Sequence, residues 1–154
     1  MTNESGTDQF AKENIIQDLS NPAIEKFFSS DGHLIAHILR HNYRPLETVF
    51  ITSNDVNQQV GYIVYPKGGR IARHSHKPIR RNIIGTQEVI LVRSGQVEVE
   101  LYTDRHEFVA RRILEKGDVL ILVSGAHGFT ILKDAILMEI KQGPYLGPHE
   151  KEYF

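Results

Sequence analysis

The chain has 154 residues, enough for one domain with a buried core and too few for two comfortable ones. With 18 Lys and Arg against 19 Asp and Glu, it has a formal net charge of −1 and no broad electrostatic pull toward nucleic acid or a membrane surface. Cysteine is absent, which excludes disulfides, thiolate metal sites, iron–sulfur clusters and a cysteine nucleophile, so any metal must sit on nitrogen and oxygen.

In chain order, residues 1–8 are polar and read as a frayed terminus, with one domain expected over residues 9–154. The N-terminus lacks a basic region followed by an apolar stretch, and no run approaches the length of a spanning helix, so a cytoplasmic location is the default expectation. Across residues 9–28, Phe10, Ile15, Ile16, Leu19, Ile24, Phe27 and Phe28 recur at three-to-four spacing, which predicts one or two short helices. Asn21 as N-cap with Pro22 at the first helical position would start the second.

Beyond the turn signal at residues 29–32 the pattern becomes short β segments. LIAHILRH from Leu34, TVFITS from Thr48 and VGYIVY from Val60 come first. EVILV from Glu88, QVEVELYT from Gln96, FVARRIL from Phe108, DVLILV from Asp118, GFTIL from Gly128 and AILMEIK from Ala135 follow. Between them lie short gaps carrying Gly, Asp, Asn or Ser, with no helical pattern, which predicts an all-β antiparallel sandwich or barrel. In 96–101, Val97, Val99 and Leu101 share one face while Gln96, Glu98 and Glu100 share the other, so this strand has one dry and one wet side.

The chemistry concentrates in GGRIARHSHKPIRRNIIGTQEVILVRSG, residues 68–95. Positions i and i+2 of a strand project to one face, so His74 and His76 can reach one metal. Glu88, opening the next strand, can add a carboxylate. His127 is the natural fourth ligand, because Ser124-Gly125 can turn the chain after an apolar strand and aim the imidazole inward. Three imidazoles and a carboxylate suit Fe(II), Mn(II), Ni(II), Co(II) or Zn(II) and disfavour Ca and Mg.

At Gly68, His74, His76, Glu88 and Gly95 the chain resembles the first motif of the cupin family, and at Gly117, Asp118, Gly125 and His127 it resembles the second. The resemblance covers residues 48–141. It implies a double-stranded β-helix, the jelly-roll barrel, with one divalent transition metal on His74, His76, Glu88 and His127, and, from small members, a homodimer. There are departures. Eleven residues separate His76 from Glu88, far more than the family's short spacer, so a loop KPIRRNIIGTQ is inserted beside the expected metal. Val123 stands where the family has proline, and the second motif is one residue short. The tail KQGPYLGPHEKEYF is similar to that of small bacterial cupins, some of which accompany surface-polysaccharide genes.

Other residues have ordinary readings. His33, His37 and His41 would stack on one face of a helix, but LIAHILRH fits a strand equally well. His106 sits in a polar hairpin and His149 in a charged tail. Lys77, Arg80 and Arg81 form a loop that could meet an anionic substrate, and Asp118 stabilises a turn. Tyr62, Glu139 and Lys141 are candidates for the barrel interior, with no general base assigned. The expected function is binding or conversion of a small polar molecule, such as a carbohydrate intermediate, with the metal as Lewis acid. A non-enzymatic metal-dependent binding module and an Fe(II) dioxygenase are the alternatives. No DNA-binding segment accompanies the barrel, and neither nucleic acid nor membrane is an expected partner.

Overall fold

A computed structural model describes residues 21–154 and the backbone of residues 15–17; the expected fraying of residues 1–8 lies outside them. The described chain is all-β apart from a single 3₁₀ turn at Pro148–Glu150. The strands are β1 (Ile15–Gln17), β2 (Ile24–Phe28), β3 (Leu34–Leu39), β4 (Val49–Phe50), β5 (Gly61–Tyr62), β6 (Glu88–Tyr102), β7 (Phe108–Glu115), β8 (Val119–Leu122) and β9 (Ala126–Lys141). Seven form one antiparallel sheet in the order β1-β2-β3-β8-β6-β7, with β9 also paired to β6, and β4 and β5 form a separate hairpin. No helix among the described residues is long and apolar enough to cross a membrane.

The described part of the expected N-terminal helices is strand instead. Asn21 does not cap a helix: its Oδ1 accepts from Ala23 N at 3.2 Å and its carbonyl from Ile24 N at 3.0 Å, closing a turn that feeds β2. The three-residue apolar spacing has a different origin. Ile24 packs into a cluster with Leu39 and Ile121, whereas Phe27 packs into the larger core with Ala36, Ile38 and Val99. A strand buried on both faces carries apolar residues at odd as well as even spacing, and so imitates a helix.

The larger core lies on the concave side of the sheet, with Phe27, Ile38, Val92, Val97, Val99 and Leu101 fully buried. The smaller cluster lies on the opposite side, where Tyr43, Ile51, Val60 and Tyr62, on and around the β4–β5 hairpin, pack over Ile24, Leu39 and Ile121. Tyr62 therefore belongs to this second cluster, with its ring 5.1 Å from that of Tyr43.

β6 is the spine. β8 pairs with its first residues, β7 with its last, and β9 with its other edge from Glu88 to Tyr102. The two segments expected on either side of Ser94-Gly95 are thus one strand, and the gap expected between them is a bulge. Register shifts from Val92 to Val97 change the parity, so that Ile90 and Val92 before the bulge and Val97, Val99 and Leu101 after it all face the core. Gly95 takes φ +83, and a Cβ there would meet Asp134 O at 2.1 Å. Only glycine lets the β6 and β9 backbones approach this closely at the bend. The sheet curls here into a half-barrel.

One end of the sheet is tied by charge. Asp118, 1% exposed, accepts from His41 N at 2.8 Å, Arg40 Nη1 at 3.0 Å and Glu115 N at 3.1 Å. Burial pushes its carboxyl pKa up, but these donors outweigh burial and hold it below the usual value. Arg40 also pairs with Glu25 of β2, which receives Arg112 Nε of β7 at 2.8 Å. The turn expected at Asp118 is thus also the junction of β2, β3, β7 and β8.

The three histidines of residues 33–41 do not share a face. His33 is exposed beside Asp31, His41 contacts Asp118, and His37 is buried inside β3 opposite Lys26 and Ile121. Among the described residues neither ring nitrogen of His37 has a hydrogen-bond partner, and burial, aided by the Lys26 charge, lowers its pKa from 6.5 to about 4. With its folded pKa depressed in this way, ionisation of His37 costs nothing while both states are neutral, and stability is lost as pH falls through 6.5, where the unfolded chain takes up its proton first. Urea unfolding should therefore show wild type losing on the order of 2–3 kcal/mol more stability than H37L between pH 7 and pH 4.5. At pH 7, H37L should match or exceed wild type, because it removes two unpaired buried nitrogens. Parallel pH curves for the two proteins would contradict this reading of His37.

Candidate functional site

Glu88 and His127 begin at opposite ends of one ladder: Glu88 pairs with Lys141, and His127 pairs with Leu101. A straight strand from Glu88 to Leu101 would span about 40 Å. Yet His127 Nε2 lies 3.3 Å from Glu88 Oε2. The ladder has curled until its ends meet.

Local sequence places each group. Glu88 pairs with Leu122, the last residue of β8, and the chain returns from β8 into β9 over residues 123–125. Val123 N and Ser124 N donate to Ile35 O at 2.8 and 3.2 Å, which fixes the turn to β3. Gly125, at φ +73, lies so close to β6 that a Cβ would meet Tyr102 O at 2.1 Å, and its N donates to Asp104 Oδ1 at 3.0 Å. This tight turn delivers His127 to the concave face two residues on. Gln87, beside Glu88, is buried and bridged: its N donates to Gln142 Oε1 at 2.8 Å and its Nε2 to Val123 O at 3.2 Å.

The pair opens onto a cavity of about 540 Å³ also lined by Asp104, His106, Lys151 and Phe154. The Phe154 ring stacks on His106 with centroids 3.8 Å apart, so the tail closes one side. Glu139 and Lys141 share the inward parity of β9, and Lys141 Nζ lies 3.8 Å from Glu88 Oε1 and 3.7 Å from Glu139 Oε2. Alternation in AILMEIK carries the signal for both. Lys151, from the tail, has no comparable signal.

Burial pushes the Glu88 carboxyl pKa up, and nearby Glu139 adds to this, while Lys141 and Lys151 oppose it. Burial lowers the His127 pKa, with Lys151 adding to the effect and Glu139 opposing it. Desolvation thus disfavours both charges, and a neutral imidazole at this position keeps a lone pair for a proton or a metal.

His74 and His76 lie elsewhere, in the loop joining β5 to β6. Their rings are exposed, 5.1 Å apart and inclined at 76°, and His74 Nδ1 donates to Ala72 O at 2.9 Å, which leaves Nε2 free to ligate. The four expected ligands thus form two pairs, and among the described residues no group of three or more His, Asp or Glu is gathered for a metal ion. Lys77, Arg80 and Arg81 are exposed on the same loop, which gives the cavity only Gly85 and Thr86. No protein-family model matches the chain, and no match is found among curated proteins or solved structures.

The approach of Glu88 to His127 depends on the bend at Gly95. G95A should lower unfolding stability by at least about 2 kcal/mol through backbone strain and overpacking against Asp134 O. Urea denaturation measures it, and a midpoint equal to wild type would show that the bend tolerates a side chain.

Proposed function

We propose that the chain is a metal-binding cupin with one divalent transition metal held by Glu88, His127, His74 and His76, acting on a small polar molecule such as a carbohydrate intermediate. The observation that carries this reading is the 3.3 Å approach of an imidazole nitrogen and a carboxylate oxygen from opposite ends of a curled ladder, at the mouth of a cavity. A mixed nitrogen and oxygen set without thiolate fits Fe, Mn, Ni, Co or Zn. The half-barrel sheet supports a jelly-roll architecture, and the order Gly68, His74, His76, Glu88, Gly95 supports the family.

When bound, the metal supplies Lewis acidity toward a chelated hydroxyl or carbonyl. The chain's own groups position and discriminate. Lys141 engages Oε1 of Glu88 and leaves Oε2 toward His127, which orients the carboxylate as an outer-shell partner does. Glu139, on the same face, shares Lys141 with Glu88 and so adds a second carboxylate to the charge around the pair. Asp104 and the Phe154–His106 stack bound the cavity and limit the size of what enters.

Protein purified without chelators should carry about one first-row transition-metal ion per chain, as a set of four nitrogen and oxygen ligands predicts. Elemental analysis should find this content lost in H74A/H76A and in E88Q. Unchanged content in either variant would overturn the four-ligand centre. Iron together with oxygen consumption would move the activity to a dioxygenase, and tight ligand binding without turnover would move it to a binding module.

A further inference from the structure

Every residue from 65 to 86 is exposed, an arm that includes Ile71, Ile79, Ile83 and Ile84 and leaves 59%, 65%, 42% and 81% of each accessible. Such a segment does not stand in water for its own sake: with every residue exposed, little burial offsets its ordering entropy. Its charge is one-sided. Lys67, Arg70, Arg73, Lys77, Arg80 and Arg81 lie on it with no acidic residue among them. The cavity at Glu88 and His127 is the opposite, lined by Glu88, Asp104, Glu150 and Glu152 with Lys151 as its cation.

The second exposed surface is β9. Among the described residues it pairs with β6 alone, which leaves its other edge open along the strand, and Ile131, Leu132, Ile136, Met138 and Ile140 are exposed on it. A long open edge with apolar side chains is a template for another strand. Length does not decide whose arm fills it, since the segment from His76 to Glu88 can extend about 40 Å. Within the single chain, however, the arm touches its own body at Asn57, whose Nδ2 donates to Ile84 O at 3.2 Å, but gives its own cavity only Gly85 and Thr86, and the tail already closes one side of that cavity.

We infer that the metal centre is assembled between two copies of this chain: the basic arm carrying His74 and His76 of one copy seats against the acidic cavity and open β9 edge of the other, where Glu88 and His127 wait. Each copy gives an arm and receives one, so the arrangement closes with two-fold symmetry and two equal sites. It places the inserted loop between His76 and Glu88 in use as a hinge, and it covers both apolar surfaces at once. The inference rests on the four-ligand reading above.

The test is complementation in a mixed pair. H74A/H76A has a defective arm and E88Q/H127Q a defective cavity, the Gln replacements being chosen to preserve packing at buried positions. The two are co-expressed with different tags, purified through both, and incubated with Co(II) alone; cobalt per chain, the visible d–d spectrum and the mass by light scattering are recorded. Assembly in trans gives a dimer mass and half the wild-type cobalt content in the mixed pair, with each variant alone empty. A mixed pair as empty as its parents, beside wild type that loads, overturns assembly in trans and leaves the four ligands in one chain. Failure to recover a doubly tagged species, or a monomer mass for wild type, also overturns it. Wild type that takes up no cobalt overturns the metal reading itself, and this inference with it.

Discussion

The curl of the β6–β9 ladder is the constraint on which the rest depends. Two long strands run side by side from Glu88 and Lys141 to Tyr102 and Ala126, and at their midpoint the register shifts while the backbones nearly touch at Gly95. A flat ribbon would hold Glu88 and His127 about 40 Å apart, with no shared chemistry. Bent at the bulge, it brings them to 3.3 Å and keeps Ile90, Val92, Val97 and Val99 on one dry face. The same device thus makes both the core and the site, and strain at Gly95 would be felt in both.

The remaining elements hold the curl in place. β7 and β8 lie in series on one edge of β6, and the turn between them is fixed by Asp118, whose partners reach into β2 and β3 through Arg40 and Glu25. The β4–β5 hairpin seals the far face of the sheet. A buried ionic junction of this kind adds little to net stability, because desolvation offsets most of its attraction. His37 belongs to that interior too, as a buried polar group with no partner among the described residues.

Much of the sheet is legible in the sequence because its strands alternate: Val97, Val99 and Leu101 inward, Gln96, Glu98 and Glu100 outward. Two features mislead for physical reasons. Ser94-Gly95 has turn composition, yet the same glycine freedom that makes a turn makes a bulge, and only pairing to β9 distinguishes them. Ile24 and Phe27 are three apart and look helical, but they serve cores on opposite sides of one strand. At the site, Glu88 and His127 follow from motif order and the glycine turn before His127. Glu139 and Lys141 follow from alternation once the inward parity of β9 is known. The separation of His74 and His76 from that pair was not legible: i and i+2 spacing fixes a shared face only if the segment is a strand, and residues 63–86 are not.

The most direct measurement is anomalous diffraction at the cobalt edge from crystals of the cobalt-loaded full chain. The expected result is a single strong peak per chain within bonding distance of both Glu88 and His127, at the mouth of the curled ladder. A peak elsewhere, or electron density with these two side chains at opposite ends of an open sheet, would contradict it.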